Sequence, residues 1–63
     1  MVQFNVDRIL FAARLRRLRQ AQDLTIRDLA KLTGLSQGFL SELENGAKSP
    51  GYESLGTLAK ALG

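Results

Sequence analysis

The apolar residues of this chain recur at intervals of three and four positions, the spacing of one helix face, and no stretch alternates as a strand would. This pattern predicts four helices, over residues 6–22, 26–33, 37–45 and 52–62. A chain of 63 residues is long enough for one small domain. We therefore expect an all-α fold, a compact bundle of four short helices that forms a single domain over residues 1–63.

The first predicted helix carries the broadest apolar stripe, made of Phe11, Leu15 and Leu18 and widened by Leu10 and Ala21. We expect this stripe to face the core. Three apolar residues nearer the N-terminus are expected to close over the core: Phe4, Val6 and Ile9. For Ile9, which lies off the main stripe, contact with a partner molecule is the alternative.

Polar residues and glycines occupy positions that begin and end helices. Thr25 and Asp28 have the spacing of a capping box for the second helix, and Gly34 can take the left-handed conformation that ends it. Ser36 can cap the third helix. Three further residues fit helix ends: Asn5, Gly46 and Gly51. Gly56 falls inside the fourth helix, where we expect it to allow close contact between helices.

The third helix combines an apolar face of leucines and a phenylalanine with a polar face that carries no basic residue. Gln37, Ser41 and Asn45 form the polar row at about 100° per residue, and Gly38 and Glu42 lie beside it. Amide and hydroxyl groups can hydrogen-bond to base edges, and a glycine lets another backbone approach closely. Ordinary surface positions are the alternative for Gln37 and Glu42.

Residues 26–45 also fit the spacing of two helices joined by a glycine turn. The matching positions are Ile26, Leu29, Ala30, Gly34, Leu35, Leu40 and Leu43. Ala30 is small where the helices would cross, and only Thr33 is less apolar than the pattern requires. Helices joined by so short a turn meet at a steep angle. This is the helix-turn-helix arrangement, whose second helix enters the major groove of DNA.

The net charge of +3 is unevenly distributed along the chain. Residues 1–31 carry seven basic and three acidic side chains, a net charge of +4, whereas residues 32–63 carry two basic and three acidic side chains, a net charge of −1. A basic half of this kind favours a polyanionic partner, with nucleic acid before an acidic membrane surface. A solvated basic face is the alternative.

Composition excludes several kinds of site, because the sequence contains no cysteine and no histidine. Zinc sites and Ser-His or Cys-His catalytic sites need these residues, so we expect no enzyme, no metal and no cofactor. No apolar run approaches the roughly 20 residues that span a membrane. The N-terminal charges follow the apolar part, the reverse of a secretory signal. We expect a cytoplasmic protein with no membrane contact and no small-molecule ligand in this domain.

Four motifs in combination identify a family resemblance: RLRRLR, then LTIRDLAKLTGLS, then LSELENG, and finally SP followed by LGTLAKALG. With them the chain resembles the phage repressor and Cro-like (Xre) helix-turn-helix family from about Phe11 to Gly63. The resemblance implies a lambda-repressor-like fold. Many members have a fifth helix that completes the core and the dimer interface, and this chain stops after the fourth.

The resemblance also implies roles for individual residues. The positions that face bases are Gln37, Gly38, Ser41 and Glu42. Together with the basic charge around the third helix, it assigns phosphate contacts to Arg14, Arg16, Thr25, Arg27, Ser36, Asn45 and Lys48. Arg19 and Glu44 match a buried arginine–glutamate ion pair, the brace, that links the first and third helices. Ile26 stands where members often carry Gln, so a side-chain phosphate contact is missing there, and Gly38 provides no side chain for readout.

The implied function is sequence-specific binding of double-stranded DNA by a prokaryotic or phage transcriptional regulator that forms a homodimer on DNA. The alternative is a protein-interaction module, such as an antitoxin segment, that has lost or never used DNA binding. The acidic third helix favours this alternative slightly, and the outward polar row on the same helix disfavours it.

Overall fold

The computed structural model describes residues 6–63, which form four helices in chain order. These are α1 (Val6–Ala21), α2 (Ile26–Thr33), α3 (Gln37–Glu44) and α4 (Tyr52–Leu62). No strand occurs within residues 6–63, so the all-α prediction is confirmed. α1 and α3 each end one residue earlier than predicted, and Asn45 becomes the C-cap of α3. The expectations for Phe4, for Asn5 and for the side chain of Val6 lie outside the described residues.

The predicted capping residues of α2 and α3 act as expected. The Thr25 hydroxyl accepts the Asp28 N–H at 3.0 Å, and the Asp28 carboxylate accepts the Thr25 N–H at 2.9 Å, which completes a capping box. Gly34 ends α2 with a left-handed φ of 75°. Ser36 then starts α3 by accepting the Phe39 N–H at 3.1 Å. Local residue identity therefore determines both ends of the α2–α3 turn.

Thr33 fits this turn although it is less apolar than its position requires. Its hydroxyl donates to the Leu29 carbonyl at 2.8 Å and accepts the Leu35 N–H at 3.2 Å. The hydroxyl therefore has hydrogen-bond partners on both sides of Gly34. A half-buried polar group with partners of this kind avoids the penalty of an unsatisfied one.

The core consists mainly of leucines from all four helices. Its buried cluster is Leu15, Leu29, Leu40, Leu43, Leu58 and Leu62. Leu29, Leu40 and Leu43 are completely buried, and α2 and α3 supply all three. Each buried leucine contributes roughly 1.5–3 kcal/mol by removal of its side chain from water. The orientation of α3 thus depends on the same residues that hold the domain together.

The buried face of α1 is rotated from the predicted stripe. Leu10, Leu18 and Ala21 are exposed, whereas Ala12 is buried beside Leu15. The packed face follows the i, i+4, i+7, i+11 series Arg8, Ala12, Leu15 and Arg19, because α3 packs along this side. The prediction for Leu10, Leu18 and Ala21 was therefore wrong. Arg8 and Arg19 are half-buried on this face, and Arg19 places its charged side chain against α3.

Two further expectations about packing were wrong. Ile9 is half-exposed beside Gly46 and does not close over the core. Gly56 is exposed, and a Cβ added there would meet nothing within 4 Å, so it does not mediate close helix contact. Gly46 is the glycine near another element: its φ is 73°, and a Cβ there would lie 3.8 Å from the Arg8 carbonyl.

The capping box makes folding stability depend on pH. The pKa of Asp28 lies below its ordinary value of 3.8, first because the Thr25 backbone N–H donates to the carboxylate and second through the Thr25 hydroxyl. A carboxyl whose pKa is lowered by folding stabilises the fold fully above its unfolded-state pKa. This contribution is lost as the pH falls through the lower folded-state pKa.

We expect Asp28→Asn to melt at a lower temperature than the parent at pH 7, because the amide keeps an acceptor but loses the charge. The difference should disappear at pH values below the folded-state pKa of Asp28. Circular dichroism melting curves from pH 7 to strongly acidic pH measure this. Asp23→Asn is the control, since Asp23 is exposed and Asn tolerates its φ of 56°. A difference that stays constant with pH would contradict the charge-based explanation.

Candidate nucleic-acid interface

The outward face of α3 carries a continuous uncharged polar row. Gln37, Gly38, Ser41 and Asn45 are all exposed on α3 and at its C-cap, and Glu42 beside them is partly exposed. The opposite side of the helix is anchored in the core by completely buried leucines. A helix held on one side in this way presents amide, hydroxyl and backbone groups to whatever approaches from the other.

A polar cleft of about 260 Å³ lies where α1, α2 and α3 meet. Arg16 and Gln20 of α1, Ile26 of α2, Ser41 of α3 and the α3 C-cap residue Asn45 border it. Three of the residues predicted to contact DNA, Arg16, Ser41 and Asn45, are thus brought together from two helices. Ile26 contributes only an apolar surface, in line with the expected absence of a side-chain hydrogen bond at that position.

Arg14 does not reach this cleft. It borders an apolar cavity of about 250 Å³ between α1 and α4, next to Leu18 and Leu55. Positions 14 and 16 of a helix differ by about 200° around its axis, so Arg14 and Arg16 point to nearly opposite sides. The geometry therefore supports a shared surface with α3 for Arg16 and not for Arg14.

The hydroxyls of Thr25 and Ser36 lie at the N-termini of α2 and α3, and both positions are exposed. Each oxygen already accepts one backbone N–H inside its cap. A hydroxyl has one donor and two acceptor sites, so Ser36 still has its hydrogen to offer to an external acceptor, whereas the Thr25 hydroxyl is used by the Asp28 carboxylate. Arg27, in the first turn of α2, is exposed as well.

Glu42 and Lys48 form an ion pair, with 3.3 Å between Oε1 and Nζ. Both side chains are about half exposed. Exposed pairs of this kind contribute about 0–1 kcal/mol and exchange easily with other charged groups. A residue predicted to face bases and one predicted to face phosphate thus bind each other when no DNA is present.

Arg19 and Glu44 form a bidentate ion pair. The Arg19 Nε and Nη2 atoms donate to Glu44 Oε2 at 2.6 Å and Oε1 at 2.9 Å. The remaining Nη1 donates to the Leu24 carbonyl at 2.7 Å, which ties in the α1–α2 connection. The Glu44 side chain is only 3% exposed and that of Arg19 13%. The hydrogen bond from Arg19 to Glu44 raises the pKa of Arg19 despite its partial desolvation.

A second guanidinium reaches the same carboxylate. Arg16 Nε donates to Glu44 Oε1 at 3.3 Å, and Arg16 Nη2 donates to the Glu44 main-chain carbonyl at 3.4 Å. Sequence reasoning predicted a phosphate contact for Arg16 and missed this role. The signal was available in the spacing, because Arg16 and Arg19 lie three positions apart in the sequence and on neighbouring parts of one helix face.

Two other contacts that fix the geometry were also missed. Arg8 Nη1 donates to the Ala47 carbonyl at 3.2 Å and so attaches the loop after α3 to α1. Gln22 Nε2 donates to the Leu62 carbonyl at 2.8 Å and links the ends of α1 and α4. For Arg8, the i, i+4, i+7, i+11 series that it shares with Arg19 indicates a packed position. No sequence signal identifies the Gln22 contact.

We expect Glu44→Ala to lower the free energy of unfolding by about 3–5 kcal/mol, because it leaves the enclosed Arg19 charge without a carboxylate. Total stabilities begin at about 5 kcal/mol for such domains, so this variant approaches unfolding. Glu42→Ala is the matched control and should melt close to the parent, since it removes an exposed pair. Arg19→Met combined with Glu44→Leu should recover stability. A Glu44→Ala melting temperature within about two degrees of the parent would contradict a stabilising brace.

Within residues 6–63, no helix is both long and apolar enough to cross a membrane. The same residues contain no group of three or more His, Cys, Asp or Glu side chains able to hold a metal ion.

A family model described as helix-turn-helix matches residues 15–63. The HTH-type transcriptional regulator DdrOP3 of Deinococcus deserti is 42% identical over 50 residues, which make up 79% of this chain and 39% of that protein. Two uncharacterized HTH-type transcriptional regulators of Sinorhizobium fredii are also similar. One, y4dL, is 42% identical over 48 residues, 76% of this chain and 24% of the relative. The other, y4dJ, is 39% identical over 56 residues, 89% of this chain and 73% of the relative.

The chain thus spans well under half the length of DdrOP3 and y4dL. No solved structure matches it significantly. The family match nevertheless covers most of the chain, including all of α2, α3 and α4 and the glycine turn between the first two of these. The chain therefore belongs to the Xre-like helix-turn-helix family.

Proposed function

We propose that this protein binds double-stranded DNA sequence-specifically and regulates transcription, with α3 in the major groove. The observation that carries the proposal is the exposed polar row of α3, which adjoins the cleft containing Arg16, Ser41 and Asn45. The relatives whose names describe transcriptional regulators support it. The acidic residues of α3 no longer favour the alternative of an interaction module without DNA binding, because Glu44 is buried against Arg19 and Glu42 pairs with Lys48.

In this proposal α3 reads base edges through Gln37, Gly38, Ser41 and Glu42. Gln37, the first residue of α3, can bond an adenine through both groups of its amide. The Ser41 hydroxyl can donate to or accept from a base edge, and Glu42 can accept from a cytosine amino group after it separates from Lys48. Gly38 contributes through its backbone, because it lets the helix approach the bases closely.

Phosphate contacts surround α3 and orient it. Arg16, Arg27, Lys48 and Asn45 provide donors from α1, α2 and the residues that end and follow α3, and the Ser36 hydroxyl adds one at the N-terminus of α3. Thr25 joins them when its hydroxyl turns from the Asp28 carboxylate to a phosphate. Such contacts provide most of the affinity and its salt dependence, whereas base contacts provide the sequence preference. Arg14, which faces α4, receives no support from the geometry as a phosphate contact.

The protein acts in this proposal as a homodimer in the cytoplasm, without catalysis, cofactor or small-molecule ligand in this domain. A single copy offers few phosphate contacts, so we expect it to bind weakly. Two copies would place their α3 helices about 34 Å apart, one turn of the duplex. The half-sites of the bound sequence would then be related by twofold symmetry.

The variant Arg27→Gln tests whether the exposed surface around α3 contacts DNA phosphates. We expect the parent to bind duplex DNA with an affinity that falls with salt, and the variant to lose about 0.9 from the slope of log affinity against log salt for each lost contact. Fluorescence anisotropy at several salt concentrations measures the slope. Lys60→Gln, an equal change of charge in the last turn of α4, should leave it unchanged. DNA binding that is absent at low salt, or a DNA affinity that does not change with salt concentration, would instead favour the interaction module.

Gly38→Ala tests how closely α3 approaches the bases. A Cβ at Gly38 meets nothing within 4 Å, so the variant should fold at least as well as the parent. DNA affinity should nevertheless fall by about 1–3 kcal/mol, the scale of one good base contact. Gly56→Ala is the matched control, because it adds the same methyl group in open space on α4. It should gain up to about 1 kcal/mol of stability and bind DNA as before. Equal affinities for both variants would exclude a close approach at Gly38.

A further inference from the structure

The Glu44 carboxylate is shared unequally between its two arginines. Arg19 approaches at 2.6 and 2.9 Å, uses its third nitrogen on Leu24, and keeps only 13% of its side chain exposed. Arg16 approaches the same carboxylate at 3.3 Å and has half its side chain exposed. Charge-assisted N–H···O bonds are strongest at about 2.7–2.9 Å, so the contact made by Arg16 is the weaker one.

The charges around Glu44 do not balance. Two guanidiniums share one carboxylate, so the cluster carries one positive charge beyond what the enclosed carboxylate needs. If Arg19 were to leave, a nearly inaccessible carboxylate would keep only a long contact with a half-exposed partner. If Arg16 were to leave, the bidentate pair would remain intact. Glu44 can therefore release Arg16 without becoming an uncompensated buried charge.

The surroundings of Arg16 offer it a second partner. Its side chain lies between the cleft of about 260 Å³ described above and a larger one of about 440 Å³ formed by α1 and the end of α3. Gln20 and Asn45 border both clefts, and Ser41 borders the smaller. These three side chains carry amide and hydroxyl donors and border the same clefts as Arg16, and the other cations there are Arg19 and Arg17. An arginine that shares a cleft with further donors suits a phosphate, which offers only acceptor oxygens at its surface.

We propose that Arg16 exchanges partners on binding: Glu44 holds it in the DNA-free protein, and a phosphate of the DNA backbone takes it in the complex, while Arg19 stays on Glu44. The inference rests on the proposed DNA binding and adds a role for Glu44. The carboxylate acts as a positioning residue that keeps Arg16 beside the cleft before DNA arrives. A long side chain that is already restrained loses less conformational entropy when it binds its ligand.

The exchange can be followed directly at the two arginines. Nitrogen-15 NMR of the Arg Nε–H groups reports the hydrogen bond at each guanidinium. On titration of the protein with a short DNA duplex, the Arg16 Nε–H resonance should shift as the complex forms, and the Arg19 resonance should stay in place. If the duplex binds and the Arg16 resonance does not move, Arg16 remains on Glu44 and the inference is overturned. Movement of both resonances overturns it as well, because the brace itself would then have opened.

Variants provide an independent measurement. Arg16→Gln should reduce the slope of log affinity against log salt by about 0.9 and melt close to the parent, because the contacts that it loses to Glu44 are long, at 3.3 and 3.4 Å. Arg16→Lys keeps the charge and should retain most of the slope, and Lys60→Gln should retain all of it. An unchanged slope for Arg16→Gln, with a fall in melting temperature as large as that of Glu44→Ala, would make Arg16 purely structural and overturn the inference.

These outcomes separate the inference from the function on which it rests. If Arg27→Gln lowers the salt slope and Arg16→Gln does not, DNA binding stands and the exchange of Arg16 is wrong. If the parent protein binds no duplex at low salt, the proposed function itself fails, and the exchange fails with it.

Discussion

The arrangement of this domain depends on the ion pair between Arg19 and Glu44. It joins the end of α1 to the last residue of α3 and, through the Leu24 carbonyl, holds the connection into α2. A carboxylate with only 3% of its side chain exposed is tolerated only with close and complete hydrogen bonding. The pair therefore allows α1 and α3 essentially one alignment. Hydrophobic contacts, which are less directional, would tolerate several.

The rotation of α1 follows from this alignment. Since Arg19 must reach Glu44, the side of α1 that meets α3 runs through Ala12 and Leu15, and Leu10 and Leu18 become exposed. Arg16, one turn before Arg19, then comes within reach of the same carboxylate and of the cleft beside Ser41. A single buried acid at the end of α3 thus orients both the structural arginine and the arginine that we propose to contact DNA.

The distribution of charge supports separate roles for α3 and its surroundings in the proposed DNA binding, base recognition by α3 and phosphate binding by the residues around it. α3 carries no basic residue, and its outward row is neutral. The cations around it belong to α1, α2 and the loop after α3. Base edges are distinguished by hydrogen-bond direction, which amides and hydroxyls provide, while phosphates attract any nearby cation. In the function that we propose, the cations around α3 therefore attach the protein to DNA of any sequence, and the neutral α3 adds the preference for some sequences.

The sequence by itself determined the four helices, the capping box at Thr25, the left-handed turn at Gly34 and the helix-turn-helix family, because these features depend on residues within a few positions of each other. It also paired Arg19 with Glu44, through the family resemblance and through the places of both residues at the margins of apolar helix faces. Only the tertiary structure decided that Gly56 stands in open space and that Arg14 and Arg16 serve different surfaces. It also decided that Arg16 joins the Glu44 pair, across 28 positions of the chain. The reason is physical. Helical periodicity defines which residues share a face, but contacts between distant segments decide how far that face is rotated towards the core. In this chain the buried carboxylate of Glu44 on α3 decides the rotation of α1.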